Sequence, residues 1–463
     1  MKTVTIAGAS GFVGSKILEL LLEKTDHNIV ALSRSEKESN HPRLKWMKAD
    51  LFSLLDLENA LKDADVAIYL VHSMQPSAHL DQANFANYDL ILADNFGRAC
   101  LKFGIKQTLY LGGLIPKRGD LSLHLKSRLE VEEVLMEYAP DTTIFRAAMV
   151  LGKEGSSFHI LLNLVKRLPV MLCPAWTKMP TSPVHVDKVA LAFCLAIDNS
   201  KHFGKVYDLC SSNQVSYYSL LETASRILGI KRRFVTINVN FIKLSKLWVR
   251  TISGAPKRLV YPLVNSLKNE MVPAPDMKFE SQDYEYETVE QALERALKES
   301  SHHRYKFKTR TVERKTVRSV QRTVLPKDMD AKEVAKEYLA WLPIALRPFL
   351  IVTVNGHYAH FSLLHRGFRL LSLKWSPERS ENSRQLFYIK GGMLAAPQDR
   401  GRLEFREVLN GKYMLAAIHD FYPALPWYFY IFSQALVHLI VMKLFGRHLR
   451  LVSEGKRPCL QKS

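Results

Sequence analysis

Two side chains in the stretch LSLHLKSRLEVEEVL, residues 121–135, are of types that do chemistry at a spacing that permits it: His124 and Arg128 lie four apart, on one face of a helix. An imidazole can give or take a proton near neutral pH, and a guanidinium can hold a hydroxyl or a phosphate. The arginine also limits the histidine. At ~4 Å and an effective dielectric of ~20, two like charges repel by about 4 kcal/mol, and ~1.4 kcal/mol moves a pKa by one unit. His124 is therefore expected to be mostly neutral at neutral pH and a poor acid, so the pair suits holding a ligand better than shuttling protons. His72, in IYLVHSM, and Arg146, in IFRAAMVLG, are further candidates. The histidine could be catalytic or merely structural, and the arginine could meet a substrate anion or pair with a nearby carboxylate.

A second group of residues addresses phosphate. Gly8, Gly11 and Gly14 in AGASGFVGSKIL follow an apolar strand and open an amphipathic helix. Residues without a Cβ let the backbone turn sharply and approach a pyrophosphate, whose charge the helix N-terminus then stabilises. Ser10, Phe12 and Val13 complete that loop. The next strand ends in ALSRS, so Ser33 and Arg34 stand where a site selective for an unphosphorylated ribose would carry Asp or Glu. A guanidinium matches a 2′-phosphate that a carboxylate would repel, which points to NADP(H) over NAD(H). Asp50 and Leu51, in KADLFS, stand where an adenine edge could be held, although Asp50 could equally cap the following helix. Val71 and His72 fall at the C-terminal edge of the sheet, where the backbone could meet the same dinucleotide.

These residues need a sheet to position them. TVTIAG, NIVALS, VAIYLV and QTLYLGG alternate with helical patterns, TTIFRAAMVLG and KVYDLC continue the series, and the rhythm predicts an α/β fold with a parallel sheet and helices on both faces. Residues 1–300 form this Rossmann-type domain, with a substrate-side lobe over about 156–275, and TVEQALERALKE closes it behind a Thr288/Gln291 capping box. HHRYKFKTRTVERKTVRSVQR reads as a strand with one solvated face, with Tyr305 and Phe307 on its other side. Residues 301–463 follow a different grammar: FLIVTVNGHYAHFSLL, FRLLSLKWS, RQLFYIKGGMLAA, GRLEFREVLN and KYMLAAIHDF read as antiparallel strands, and a long apolar helix begins near Pro426. This is an α+β domain.

The 463 residues are 47% hydrophobic and 24% charged, values that exclude a disordered chain, and the net charge of +20 favours acidic partners. Aromatics are not interleaved with Lys and Arg at stacking intervals, so nucleic acid is not an expected ligand. His357, His360 and His365 do not converge on one strand face, and no metal site is expected. The five cysteines form no C-x-x-C pair and, with the early glycines in place of a leader, suggest a cytoplasmic protein. Phe421–Met442 carries no charge and then meets Lys443, Arg447 and Arg450. Its all-round apolar helix must be covered by protein, by a lipid-like ligand or by a membrane surface, which leaves a membrane-peripheral location open.

GASGFVG, Arg34, ADL and the helix from Ser122 resemble the atypical, extended branch of the short-chain dehydrogenase/reductases, in the style of NmrA-like regulators and the NADPH-holding accessory subunit of respiratory complex I. The resemblance implies a Rossmann fold and a bound dinucleotide. Active members use Tyr-x-x-x-Lys and an upstream Ser or Thr. Laid on that motif, His124 takes the tyrosine position, Arg128 the lysine position, and Gly112 or Gly113 the serine position. The motif is therefore degenerate. Two functions follow: a cofactor-holding sensor or assembly factor, with an unusual reductase close to it, or an NADP(H)-dependent oxidoreductase or isomerase of a hydrophobic carbonyl, quinone or lipid-like substrate. The second domain resembles helix-grip arrangements of the START and Bet v 1-like kind, and a domain of unknown function that follows dehydrogenase-like domains in several bacterial proteins. That resemblance implies an apolar interior.

Overall fold

The computed structural model describes residues 1–463 except 74–77, 118, 239–241, 302, 304, 308–314, 365–367 and 461–463. The chain divides into two compact units, Met1–Met74 with Leu92–Thr309, and Gln75–Ile91 with Arg310–Ser463.

The first unit begins β1 (Thr3–Ala7), α1 (Phe12–Lys24), β2 (Asn28–Ser33), β3 (Leu44–Lys48), α2 (Leu54–Leu61) and β4 (Val66–Tyr69). After an excursion into the second unit, the chain returns through β6 (Gln107–Gly113), α4 (Leu123–Tyr138) and β7 (Thr143–Ala147). Together with Val206–Leu209 these strands make a seven-stranded parallel sheet in the order Val206–Leu209, β7, β6, β4, β1, β2, β3. The central strands are largely apolar and buried because helices cover both faces: Val4, Ile6, Ile68 and Leu109 are buried with Ile17 and Leu21 of α1 and Phe193 of the helix Val186–Ala196. Parallel pairing puts the C-terminal ends of β1, β2, β4 and β6 on one edge of the sheet. Beyond β7, α5 (Ser156–Arg167) and the helices Tyr217–Ile227, Ile242–Ser253, Lys257–Ser266 and Val289–Glu299 pack around a separate apolar cluster. The last of these helices starts at the expected Thr288/Gln291 capping box.

In the second unit, Leu350–Asn355, Tyr358–Leu363, Arg369–Trp375, Arg384–Gly391, Arg402–Val408, Tyr413–Phe421 and Val317–Val324 pair antiparallel in that order. The α/β and α+β classes both stand. Three features differ from expectation. Of the strand expected from HHRYKF onward, residues 302, 304 and 308–314 lie outside the described residues and Val317–Val324 is a strand, while Tyr305 lies flat on His159, with ring centroids 3.9 Å apart, and Phe307 packs with the helical cluster of the first unit. The helix near Pro426 is two helices, Trp427–Phe432 and Gln434–Ser453, broken at Ser433. A helix not anticipated, Ala331–Ala345, starts at an Asp330/Glu333 capping box and buries Val334, Tyr338, Trp341 and Leu342 in the core of this unit.

The excursion supplies the eighth strand, β5 (Leu80–Gln82), which pairs parallel with Val317–Ser319. The Gln82 side-chain amide donates to the Ala435 carbonyl at 3.0 Å. α3 (Phe85–Lys102) follows, and its residues through Ile91 belong to the second unit. There the Asn87 amide donates to the Val320 carbonyl at 3.2 Å and the Tyr88 hydroxyl to the Arg318 carbonyl at 3.1 Å.

Candidate functional site

The glycine loop is shaped by contacts that exclude side chains. Gly8 has φ +93°, and a Cβ there would lie 3.2 Å from the Leu70 backbone, just past β4. Gly11 donates its N–H to the Gly8 carbonyl at 2.9 Å and caps α1. A Cβ on Gly14 would come within 2.2 Å of that same carbonyl oxygen. No side chain caps the first N–H groups of α1, and its first turn carries no acid. The result is a cradle of main-chain donors at the positive end of a 13-residue helix, and it fits a pyrophosphate by shape and by charge. Ser10 is exposed on this loop, while Phe12 and Val13 are half-buried. The Phe12 ring abuts the second glycine-bearing turn, at Gly152 and Gly155.

The neighbouring strand ends hold the other expected contacts. Ser33, at the end of β2, is buried and accepts from the Ser35 N–H at 3.3 Å; Arg34 follows it and is exposed. Asp50, beyond β3, has both polar groups engaged in the turn into α2. Its carboxylate accepts from the Phe52 N–H at 3.2 Å, and its own N–H donates to Asp56 at 3.0 Å. The cap of α2 itself is Ser53. Leu51 is buried, and its carbonyl accepts from the Asn95 amide at 2.8 Å. Val71 is half-buried and His72 exposed, just after β4.

α4 starts at Ser122, whose hydroxyl accepts from the Leu125 N–H at 3.2 Å and sits 2.8 Å from that of Ser266. His124 lies in its first turn, and Arg128, one turn on, is 5% exposed. One turn further, the Glu132 carboxylate faces β6. A Cβ on Gly112 would lie 2.6 Å from Glu132 Oε1, and one on Gly113 would lie 3.3 Å from Leu125 and 3.7 Å from Arg128. The space a larger side chain would need at Gly112 is thus filled by α4. Arg146, beside Gly112 in the sheet register, donates to both Glu132 oxygens, at 3.1 and 2.6 Å. Of the two roles open to Arg146 in the sequence, it is the ion pair that forms. Burial pushes the Glu132 and Asp208 carboxyls up, opposed by the Arg146 hydrogen bonds in one case and by the Ala274 N–H in the other.

Next to His124 and Gly113 is an apolar cavity of about 150 Å³. Ala147, Ala148 and Met149 form one side, Ile160, Leu161 and Leu164 of α5 another, and Trp176, Tyr217, Val260 and Val264 close it. An apolar void of about this size accommodates a single six-membered ring. Sequence reading placed a lobe here but missed its lining, because the walls come from helices far apart in the chain and no local spacing marks them.

His360 Nδ1 is 3.0 Å from the Ser372 hydroxyl, and His365 lies outside the described residues. Among the described residues, His185, Asp187 and Glu299 bring ligand atoms within 4.8 Å of one another. Lys16 at 3.3 Å and Arg295 at 3.9 Å from Asp187 already supply positive charge there.

Comparison with known proteins agrees with this geometry. Residues 8–154 match the family model described as NAD(P)H-binding. The chain is 28% identical over 112 residues to auxiliary protein GraX of Staphylococcus aureus, covering 24% of this chain and 36% of that protein. It is 22% identical over 242 residues to the mitochondrial NADH dehydrogenase [ubiquinone] 1 alpha subcomplex subunit 9 of Arabidopsis thaliana, covering 50% and 60%. The chain therefore spans about a third and three-fifths, respectively, of these two relatives. The solved triphenylmethane reductase of Citrobacter sp., complexed with NADP(H), shares the fold at TM-score 0.51 and 15% identity, over 64% of this chain and 100% of its own. With the cradle at the end of β1 and the seven-stranded parallel order, the first unit carries an NAD(P)H-binding domain of Rossmann type, similar in fold to the short-chain dehydrogenase/reductases.

Proposed function

We propose that this protein holds NADP(H) along the edge formed by β1, β2 and β4 and reduces a small apolar acceptor seated beside His124. The observation that carries this reading is the cavity of about 150 Å³, apolar on nearly every wall, bordered by His124 and Gly113 at the same sheet edge as the glycine loop. Gly8, Ser10, Gly11, Phe12, Val13 and Gly14 would hold the pyrophosphate. Arg34, with Ser33 in place of an acid, favours the 2′-phosphorylated dinucleotide. Asp50, Leu51, Val71 and His72 would line the adenine and ribose path. The bound cofactor supplies a hydride. The chain itself contributes a dry pocket, an imidazole that can orient an acceptor oxygen by hydrogen bonding, and the Glu132–Arg146 pair that fixes α4 against β6 beside it. A conjugated acceptor such as a one-ring enone or quinone suits the site, because charge arriving on it is delocalised and asks less of a proton donor than an isolated ketone does.

A second reading is supported by one observation: the Glu132 carboxylate occupies the space beside Gly112, where the resemblance would put a serine. On that reading the protein holds the dinucleotide without turnover, as a sensor or assembly component. Steady-state NADPH oxidation with one-ring enones and quinones, compared with polar sugar substrates, separates the two. The reductase reading expects turnover on the apolar panel and a fall of roughly 10²-fold or more in His124→Ala, the usual scale for a lost acid–base group. NADPH that binds, as seen by fluorescence, yet is consumed with no member of the panel would leave the holding role.

A further inference from the structure

We infer that the second unit docks on an anionic lipid bilayer through the exposed face of Trp427–Ser453, lying in the plane of the interface rather than crossing it. By length and composition this helical stretch could span a membrane. Its inward face rules against that orientation. Ala435, Val441, Met442, Phe445 and Leu449 are buried in the core of the unit. His438 is 3.0 Å from the Ser319 hydroxyl, and His448 is 2.7 Å from Glu337. A spanning helix would have to give up all of these contacts.

The outward face has the composition of an interfacial anchor. Tyr428, Phe429 and Phe432 of the short first helix are 78%, 72% and 75% exposed, and in Gln434–Ser453 the exposed Leu436, Val437, Ile440 and Leu444 lie along one side at three- and four-residue steps. A contiguous exposed apolar stripe of this kind marks a contact surface. Further along, the exposed positions change to Lys443, Arg447 and Arg450. From Phe421 to Ser453 the sequence contains no Asp or Glu. An apolar, aromatic-rich start and a basic continuation along the exposed side of this stretch match acyl chains and anionic headgroups respectively. A second copy of the chain fits less well, because the helix brings its own cations and no acid to pair with them.

Flotation of the full chain with phosphatidylcholine vesicles and with 7:3 phosphatidylcholine:phosphatidylglycerol vesicles tests the assignment. The protein is expected to float with the anionic vesicles, to leave them at high salt or after a carbonate wash, and to stay at the bottom with the neutral ones. Arg447→Gln with Arg450→Gln should weaken partitioning roughly 25-fold, about fivefold for each charge. Phe429→Glu with Phe432→Glu, both at exposed positions, should abolish it while thermal melting stays at the parent value. No flotation of the parent on anionic vesicles overturns the proposal, as does equal flotation on both compositions. Retention through the carbonate wash would overturn the in-plane orientation. A dimer in light scattering that the phenylalanine pair converts to monomer would assign the face to a second copy instead.

Discussion

A methyl group at Gly14 would meet the Gly8 carbonyl oxygen at 2.2 Å and the Ala9 Cα at 2.9 Å, both backbone atoms that cannot swing aside. Gly14→Ala should therefore push α1 off the loop, costing about 1–3 kcal/mol by overpacking. It should also abolish NADPH binding, read by fluorescence titration beside a denaturant melt. Arg34→Glu makes the complementary test: it should raise the Kd for NADPH roughly 10- to 100-fold, the scale of a lost hydrogen bond to a charged group, and leave that for NADH within a few-fold. Equal affinity of the parent for the two dinucleotides would remove Arg34 from the site. At this scale the turn of the glycine loop was legible, because Gly8, Gly11 and Gly14 lie close together in sequence and a Cβ at each would meet the loop's own backbone or that of Leu70. Glu132 was not legible. Its role depends on Arg146 and Gly112, which the sequence holds 14 and 20 positions away and only the sheet register brings together.

At the scale of elements, α4 and β6 close on each other through Glu132 and Gly112. Adding a hydroxyl by Gly112→Ser, where the resemblance would place a serine, should not create turnover. The added atoms would displace the Glu132 carboxylate from Arg146 and destabilise the fold by about 1–3 kcal/mol, with no gain in NADPH turnover. A melt and a rate assay on the one variant check both parts, and a faster, equally stable enzyme would contradict the packing. The interior face of α4 was hard to read because it buries Ser127, Arg128, Glu130 and Glu132 alongside Leu125, Val131 and Leu135, so polar types occupy core positions. The helix Ala331–Ala345 was missed for a different reason. Its capping box, Asp330 with Glu333, is plain in the sequence, yet it stands in a region otherwise patterned as strands. β5 was missed as well, since three residues in a crossover carry no periodicity of their own.

Across the whole molecule, buried histidines set the response to acid. Burial holds His438 down at about 4, and burial with the nearby Arg402 holds His419 down at about 3. An unfolded histidine takes up a proton near ~6.5, so below that pH the unfolded chain holds more protons and stability falls towards pH 4. For His438 alone the loss between pH 6.5 and 5 is roughly 2 kcal/mol. Urea midpoints measured at both pH values, in the parent and in His438→Asn, should show a shallower fall in the variant. Asp420, held down at about 2 by Arg318 and Arg402 against its burial, acts in a separate window, since its contribution is lost only below the ordinary carboxylate range. The pairing of β5 with Val317–Ser319 has a further consequence, in time. Leu80–Gln82 leaves the ribosome roughly 230 residues ahead of its partner strand, and at the usual pace of ~5–20 residues per second that gap is about 10–50 s. Throughout that interval the nascent chain carries an unpaired edge segment while most of the nucleotide fold is still being made around it in sequence, a waiting state that a stalled or truncated message would never resolve.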